Sequence, residues 1–80
     1  MPHVPFDEIR QMVKLKLGAR NVTETSRLIE DLRAESVDIV GLAVMAEERY
    51  GVTIRESELA RMKTVGDLHV LVEEKAIGDW

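Results

Sequence analysis

The sequence predicts an all-α bundle of three main helices and one short one. Three observations carry that reading. Apolar residues recur at spacings of three and four along most of the chain. Residues that start and stop helices punctuate those stretches: Pro5, Ser36 and Thr64 at starts, Gly18 and Gly51 at ends. The hydrophobic content, 45% of 80 residues, is almost entirely aliphatic, with Phe6, Tyr50 and Trp80 the sole aromatics, and such a composition favours helix over sheet.

The first helix spans roughly residues 5–17. Pro5 suits a first turn, and Asp7 and Glu8 sit where the positive end of the helix dipole favours them. Phe6, Ile9, Val13 and Leu17 form its stripe, and Gly18 supplies a left-handed stop. Residues 18–35 are irregular. Asn21, Thr23, Thr25 and Ser26 favour turns, yet Val22, Leu28, Ile29 and Leu32 are too apolar for a free linker. This connection is expected to lie on the core and to hold a helical turn. Loops of this length in small domains are often functional. The second helix runs from Ser36 to Tyr50 and stops at Gly51. Val52-Thr53-Ile54 reads as extended, with Ile54 plugging the core. A short third helix covers about Glu56 to Arg61. Thr64 caps the fourth, with Asp67 three residues on as an approximate capping box. Val65, Leu68, Leu71 and Val72 are its stripe, and residues 76–80 read as a frayed tail.

Composition narrows the function. A chain of 80 residues is a single domain, 1–80, that buries only roughly 60% of its unfolded surface, too little for an elaborate catalytic pocket. Without cysteine there are no disulfides or thiolate metal sites. No stretch approaches the ~20 apolar residues needed to span a bilayer, and no signal-peptide pattern is visible. A soluble, cytoplasmic protein is expected. Charge is uneven. Residues 1–27 hold five Lys/Arg against three Asp/Glu, a net of +2; residues 28–80 hold six against twelve, a net of −6. The acidic body disfavours nucleic acid and anionic membrane as partners and favours basic protein patches. His3 and His69 are too far apart in sequence to suggest a metal site. A hydrolase on Ser36 would have only His69 as base, and no nucleophile–base–orienter pattern is recognisable.

The second helix carries two stripes. At about 100° per residue, Ile39, Leu42, Ala43, Ala46 and Tyr50 share one arc, the core face. Val37, Val40, Gly41 and Val44 cluster on another, with Glu48 in it, Glu47 beside it and Asp38 further round. A small apolar patch bordered by carboxylates suggests a docking surface, although scattered surface valines are ordinary. Ser36 reads first as an N-cap, an incomplete one, since Ile39 stands where a capping box wants Glu or Gln. Its hydroxyl at a helix N-terminus is also a sensible anchor for a phosphodiester, because the dipole and free N–H groups stabilise an anion there.

The stretch Leu32-Arg33-Ala34-Glu35-Ser36-Val37-Asp38 followed by Ile39-Val40-Gly41-Leu42 resembles the acyl carrier protein signature, in which Asp-Ser-Leu opens the second helix. Upstream Leu28-Ile29-Glu30-Asp31-Leu32, downstream Ala46 to Ile54, and Lys63-Thr64-Val65-Gly66-Asp67-Leu68 continue the likeness over nearly the whole chain. The resemblance implies an acyl-carrier-like four-helix bundle that is not an enzyme. It implies a 4′-phosphopantetheine arm on Ser36, placed by a phosphopantetheinyl transferase and holding acyl groups as thioesters. It implies a monomer visited by acyl-transfer and chain-modifying enzymes with basic docking patches. Glu35, Val37, Asp38, Val40, Gly41, Val44, Glu47 and Glu48 map onto the family's recognition helix, and Glu56 and Glu58 border it. Leu42, Ala46, Ile54, Leu59, Met62 and Leu68 are candidates to line an acyl cavity. The chain departs from the pattern at Glu35 (usually Asp), Val37 (usually Leu), Arg33 (commonly Gly) and Gly41 (often acidic). These departures leave room for a specialised carrier of polyketide or aminoacyl cargo, or for an unmodified docking module.

Overall fold

Pro5 holds an extended backbone, with φ −62° and ψ 137°, and its carbonyl accepts the Glu8 N–H at 3.1 Å, which sets the entry to the first helix. In the computed structural model, which describes residues 4–78, the helices are α1 (Phe6–Leu17), α2 (Ser36–Tyr50), α3 (Glu56–Leu59) and α4 (Val65–Gly78). Gly18 and Gly51 end α1 and α2 in the left-handed conformation, each at φ 66°, and their N–H groups close back onto Lys14 and Glu47. Both stops fall where the sequence placed them. α3 is shorter than expected: it stops at Leu59, and hydrogen bonds from Arg61 N to Glu58 O and Met62 N to Leu59 O (both 3.0 Å) continue the chain as tight turns. α4 reaches Gly78, and the remainder of the expected tail, Asp79 and Trp80, lies outside the described residues.

α1 meets α2 and α4, and α2 also meets α3 and α4. α1 and α2 are antiparallel: Lys16 lies against Gly41 at one end, and the Tyr50 hydroxyl donates to Glu8 Oε1 at 2.9 Å at the other. Burial, reinforced by the hydrogen bond to Glu8, pushes the Tyr50 phenol up to about 12. The core is aliphatic. Ile9, Val13, Leu28, Leu42, Val65, Leu68, Leu71 and Val72 are fully buried, and each contributes about 1.5–3 kcal/mol relative to an exposed position. Ile54 is buried beside them as the plug the sequence suggested, and its N–H donates to Glu47 Oε2 at 2.8 Å.

The connection between α1 and α2 is tied down by backbone. Gly66 N donates to Glu24 O (2.9 Å), Val65 N to Ser26 O (3.0 Å) and Leu28 N to Lys63 O (2.9 Å), with an isolated antiparallel bridge between Arg27 and Thr64. The expected helical turn is present over residues 27–34, where Asp31 N and Leu32 N both donate to Arg27 O. It ends at Arg33, the sole non-glycine residue at positive φ (64°) among those described. Leu28, wholly buried, anchors the turn.

Two substitutions test this frame. A left-handed L-residue costs roughly 1–2 kcal/mol, part of which glycine offsets by its freer unfolded state. Arg33→Gly is therefore expected to stabilise by about 0.5–1 kcal/mol in urea unfolding; unchanged or lower stability contradicts a strained turn. A Cβ on Gly66 would lie 2.9 Å from Glu24 O, a backbone atom. Gly66→Ala is expected to destabilise by about 1–3 kcal/mol, although helix propensity alone would favour alanine by about 1 kcal/mol.

Candidate functional site

Ser36 is the first residue of α2 and is exposed. It is not the cap. The cap lies one residue earlier: Glu35 is extended (φ −97°, ψ 169°), its N–H donates to Asp38 Oδ2 at 2.9 Å, and its carbonyl accepts from Asp38 N and Ile39 N. The sequence reading missed this because glutamate is a poor cap, whereas Asp38 three residues on completes the box from its own side. The consequence is chemical. A capping serine has its hydroxyl bound to the backbone, but the Ser36 hydroxyl has no hydrogen-bond partner among the described residues. It stands beside first-turn N–H groups that have no acceptor within the helix. An exposed, unengaged hydroxyl at a positive helix end can accept and hold a phosphodiester, so these residues fit a phosphopantetheine arm.

A groove of about 750 Å³ opens at Ser36. Ile29, Ile39, Val40, Leu59, Ala60 and Met62 make its apolar wall, and Arg27, Glu30, Lys63, Thr64 and Asp67 its polar rim. A second recess of about 310 Å³ lies along α2 and α3, lined by Val40, Ala43, Val44, Glu47, Ile54, Glu56 and Leu59. Of the six residues considered for a cavity, Leu59, Met62 and Ile54 line these two spaces. Leu42, Ala46 and Leu68 are sealed in the core at 0% exposure and line neither. Sequence reasoning missed Ile39, Lys63 and Arg27 as groove residues. Ile39 sits where the core face turns into the groove, and the other two arrive through the loop–α4 backbone pairing, which leaves no periodic signal.

The second stripe of α2 is apolar and exposed: Val37, Val40 and Val44 are 69%, 47% and 44% exposed. Its border is more divided. Glu35, Glu48 and Glu56 are exposed. Asp38 is engaged at the Glu35 N–H and Glu47 at the Ile54 N–H. Gly41 is turned toward α1, where a Cβ would come within 2.7 Å of Lys16 Cε. α3, which walls both spaces, has no fully buried residue and is held to α4 by Lys75 Nζ–Glu58 Oε1 (2.7 Å), with Arg61 Nη2–Glu74 Oε1 (3.2 Å) tying the turn after it to α4. His69 is engaged elsewhere, with Nε2 2.6 Å from Val4 O and its ring edge-on to Phe6, and it does not line the Ser36 groove. His3 lies outside the described residues. Among those described, no three His, Cys, Asp or Glu side chains gather as a metal would require, and no helix is long and apolar enough to cross a membrane.

A family described as the phosphopantetheine attachment site matches residues 7–69. An acyl carrier protein of Thermotoga maritima is 36% identical over 72 residues, covering 88% of this chain and 89% of that one. One from Wolinella succinogenes is 36% identical over 70 residues, covering 85% and 92%. The solution structure of the acetyl actinorhodin acyl carrier protein from Streptomyces coelicolor superposes with a TM-score of 0.77 over 96% of this chain and 95% of that one; at 23% identity it speaks to the fold alone.

The α3 wall should respond to acid. The hydrogen bond from Lys75, then that from the Arg55 N–H, holds the Glu58 carboxyl below its ordinary value of 4.5. A lowered folded value means that Glu58 stabilises the fold fully above the unfolded value and loses that contribution as pH falls through the folded one. Lys75→Met should therefore flatten the fall of the thermal midpoint between about pH 5 and pH 3. Equal slopes in parent and variant would show that the bridge does not couple α3 to α4.

Proposed function

The chain belongs to the phosphopantetheine attachment-site family as an acyl carrier protein, and from that premise we propose that Ser36 is the residue that bears the arm. One observation carries the assignment: Ser36 combines exposure, an unengaged hydroxyl, a helix N-terminus and an adjoining apolar groove. Once bound, the arm supplies a thiol, which this cysteine-free chain lacks, so that acyl groups can be held as thioesters.

The chain's own residues then divide the work. The Ser36 oxygen replaces adenosine 3′,5′-bisphosphate on the phosphorus of coenzyme A, and its proton leaves to a base of the transferase. The first-turn N–H groups of α2 would stabilise the charge of a phosphodiester held at Ser36. Ile39, Val40, Leu59 and Met62 offer the cargo an apolar wall beside the attachment point. Val37, Val40 and Val44 give visiting enzymes a small contact area, and Glu35, Glu48 and Glu56 steer their basic patches. The whole chain acts as a single cytoplasmic carrier domain, a monomer that catalyses nothing itself. Its partners are a phosphopantetheinyl transferase and successive acyl-transfer and chain-modifying enzymes.

Incubation with a broad-specificity transferase and coenzyme A should add one phosphopantetheine to the intact mass of the parent and none to Ser36→Ala. An unmodified, folded parent across several transferases contradicts the assignment. Replacing Glu48 with Gln should raise the transferase KM about two- to fivefold with kcat little changed, and the difference should shrink at high salt. A KM insensitive to both changes would remove Glu48 from the docking face.

A further inference from the structure

The groove beside Ser36 holds a cation without a partner. Four charged residues line it: Arg27, Glu30, Lys63 and Asp67. Arg27 and Asp67 are engaged. The Arg27 guanidinium is bound to Asp31 through Nε–Oδ2 at 3.3 Å and Nη2–Oδ1 at 3.2 Å. Glu30 has no ion pair or hydrogen bond among the described residues, and its charge adds to the field on Arg27. Asp67 Oδ2 accepts the Thr64 N–H at 3.0 Å. Lys63 has neither ion pair nor side-chain hydrogen bond among the described residues. Its backbone is fixed on both sides, N–H to Arg61 O at 2.9 Å and carbonyl from Leu28 N at 2.9 Å, so the side chain starts from a fixed point on the groove rim. In a chain of net charge −4 this cation has the opposite sign to the body around it, and it stands beside an apolar wall where an incoming anion sheds part of its water screening.

We propose that Lys63 is the counter-ion for a carboxylate on the cargo, so that the groove retains acyl groups with a charged terminus better than plain aliphatic ones of equal length. This rests on Ser36 bearing the arm. The arm's phosphodiester is a weaker candidate for Lys63, because it adjoins Ser36 and faces the free N–H groups at the start of α2. The apolar wall takes the methylenes of such a cargo and Lys63 takes its end. A purely aliphatic cargo leaves the ammonium beside a hydrocarbon tail with nothing gained.

The test uses the full chain, converted to the arm-bearing form and verified by intact mass. It is then loaded with a six-carbon monocarboxylic acyl group or its six-carbon dicarboxylic counterpart. Hydroxylamine release, followed by mass, reads how well each thioester is sheltered, and amide shifts at Val40, Leu59 and Met62 read where the cargo lies. The parent should release the dicarboxylic cargo about two- to fivefold more slowly, the range of an exposed ion pair. Lys63→Met, which keeps the side-chain bulk, should abolish that advantage; Lys63→Arg should keep it, and high salt should reduce it. Equal release in the loaded parent, or an advantage that survives Lys63→Met, overturns this proposal alone. A phosphorus resonance that moves in Lys63→Met without any difference between cargoes assigns Lys63 to the phosphodiester and likewise overturns it. Failure to gain the arm at all overturns the Ser36 assignment instead, and this proposal with it.

Discussion

Three backbone hydrogen bonds between the long connection and the start of α4 hold the arrangement in place: Leu28 N to Lys63 O, Val65 N to Ser26 O and Gly66 N to Glu24 O. These bonds satisfy polar groups of Glu24, Ser26 and Leu28 without water, so an irregular segment can lie on an aliphatic core. The clamp needs close backbone approach, which is why residue 66 has no side chain. From there the turn at 27–34 and the left-handed Arg33 deliver the chain to Glu35, and the Asp38 carboxylate fixes the start of α2. Ser36 is exposed with its hydroxyl free because every constraint around it is met by its neighbours.

The same clamp builds the groove. It brings Arg27 and Lys63 beside Ser36, Ile39 and Val40, residues that no local pattern would associate. α3 closes the far wall with Leu59 only partly buried and the Glu58–Lys75 ion pair to α4. Ion pairs near the surface are individually weak, so this wall is lightly held on its α4 side. That suits a carrier that must both shelter and surrender its cargo.

The acidic residues divide by geometry. Asp38, Glu47 and Asp67 are engaged with backbone N–H groups and hold helix starts and loops in place. Glu35, Glu48 and Glu56 stay exposed beside the valines. Sequence periodicity could find the stripe of Val37, Val40 and Val44, the stops at Gly18 and Gly51 and the Thr64–Asp67 box, because each is a local pattern with a local cause. It could not separate Glu47 from Glu48, since the Ile54 N–H that engages Glu47 arrives from beyond Gly51. Nor could it show that Gly41 faces Lys16, that Leu42 and Ala46 are sealed while Ile39 meets the groove, or that Lys63 stands unpaired there. Those depend on helices meeting at distant points of the chain. The left-handed turn was hidden for a different reason: Arg33 occupies a position where glycine would have announced it.

The most direct test of the central claim localises the arm among the three serines, Ser26, Ser36 and Ser57. Trypsin separates them, with cleavage after Arg20, Arg27, Arg33, Arg49, Arg55 and Arg61 leaving each on its own peptide. Tandem mass spectrometry of the transferase-treated protein should place the whole phosphopantetheine mass on the peptide from Ala34 to Arg49. The same mass on the Ser26 or Ser57 peptide would contradict the account, because neither serine opens a helix beside the groove.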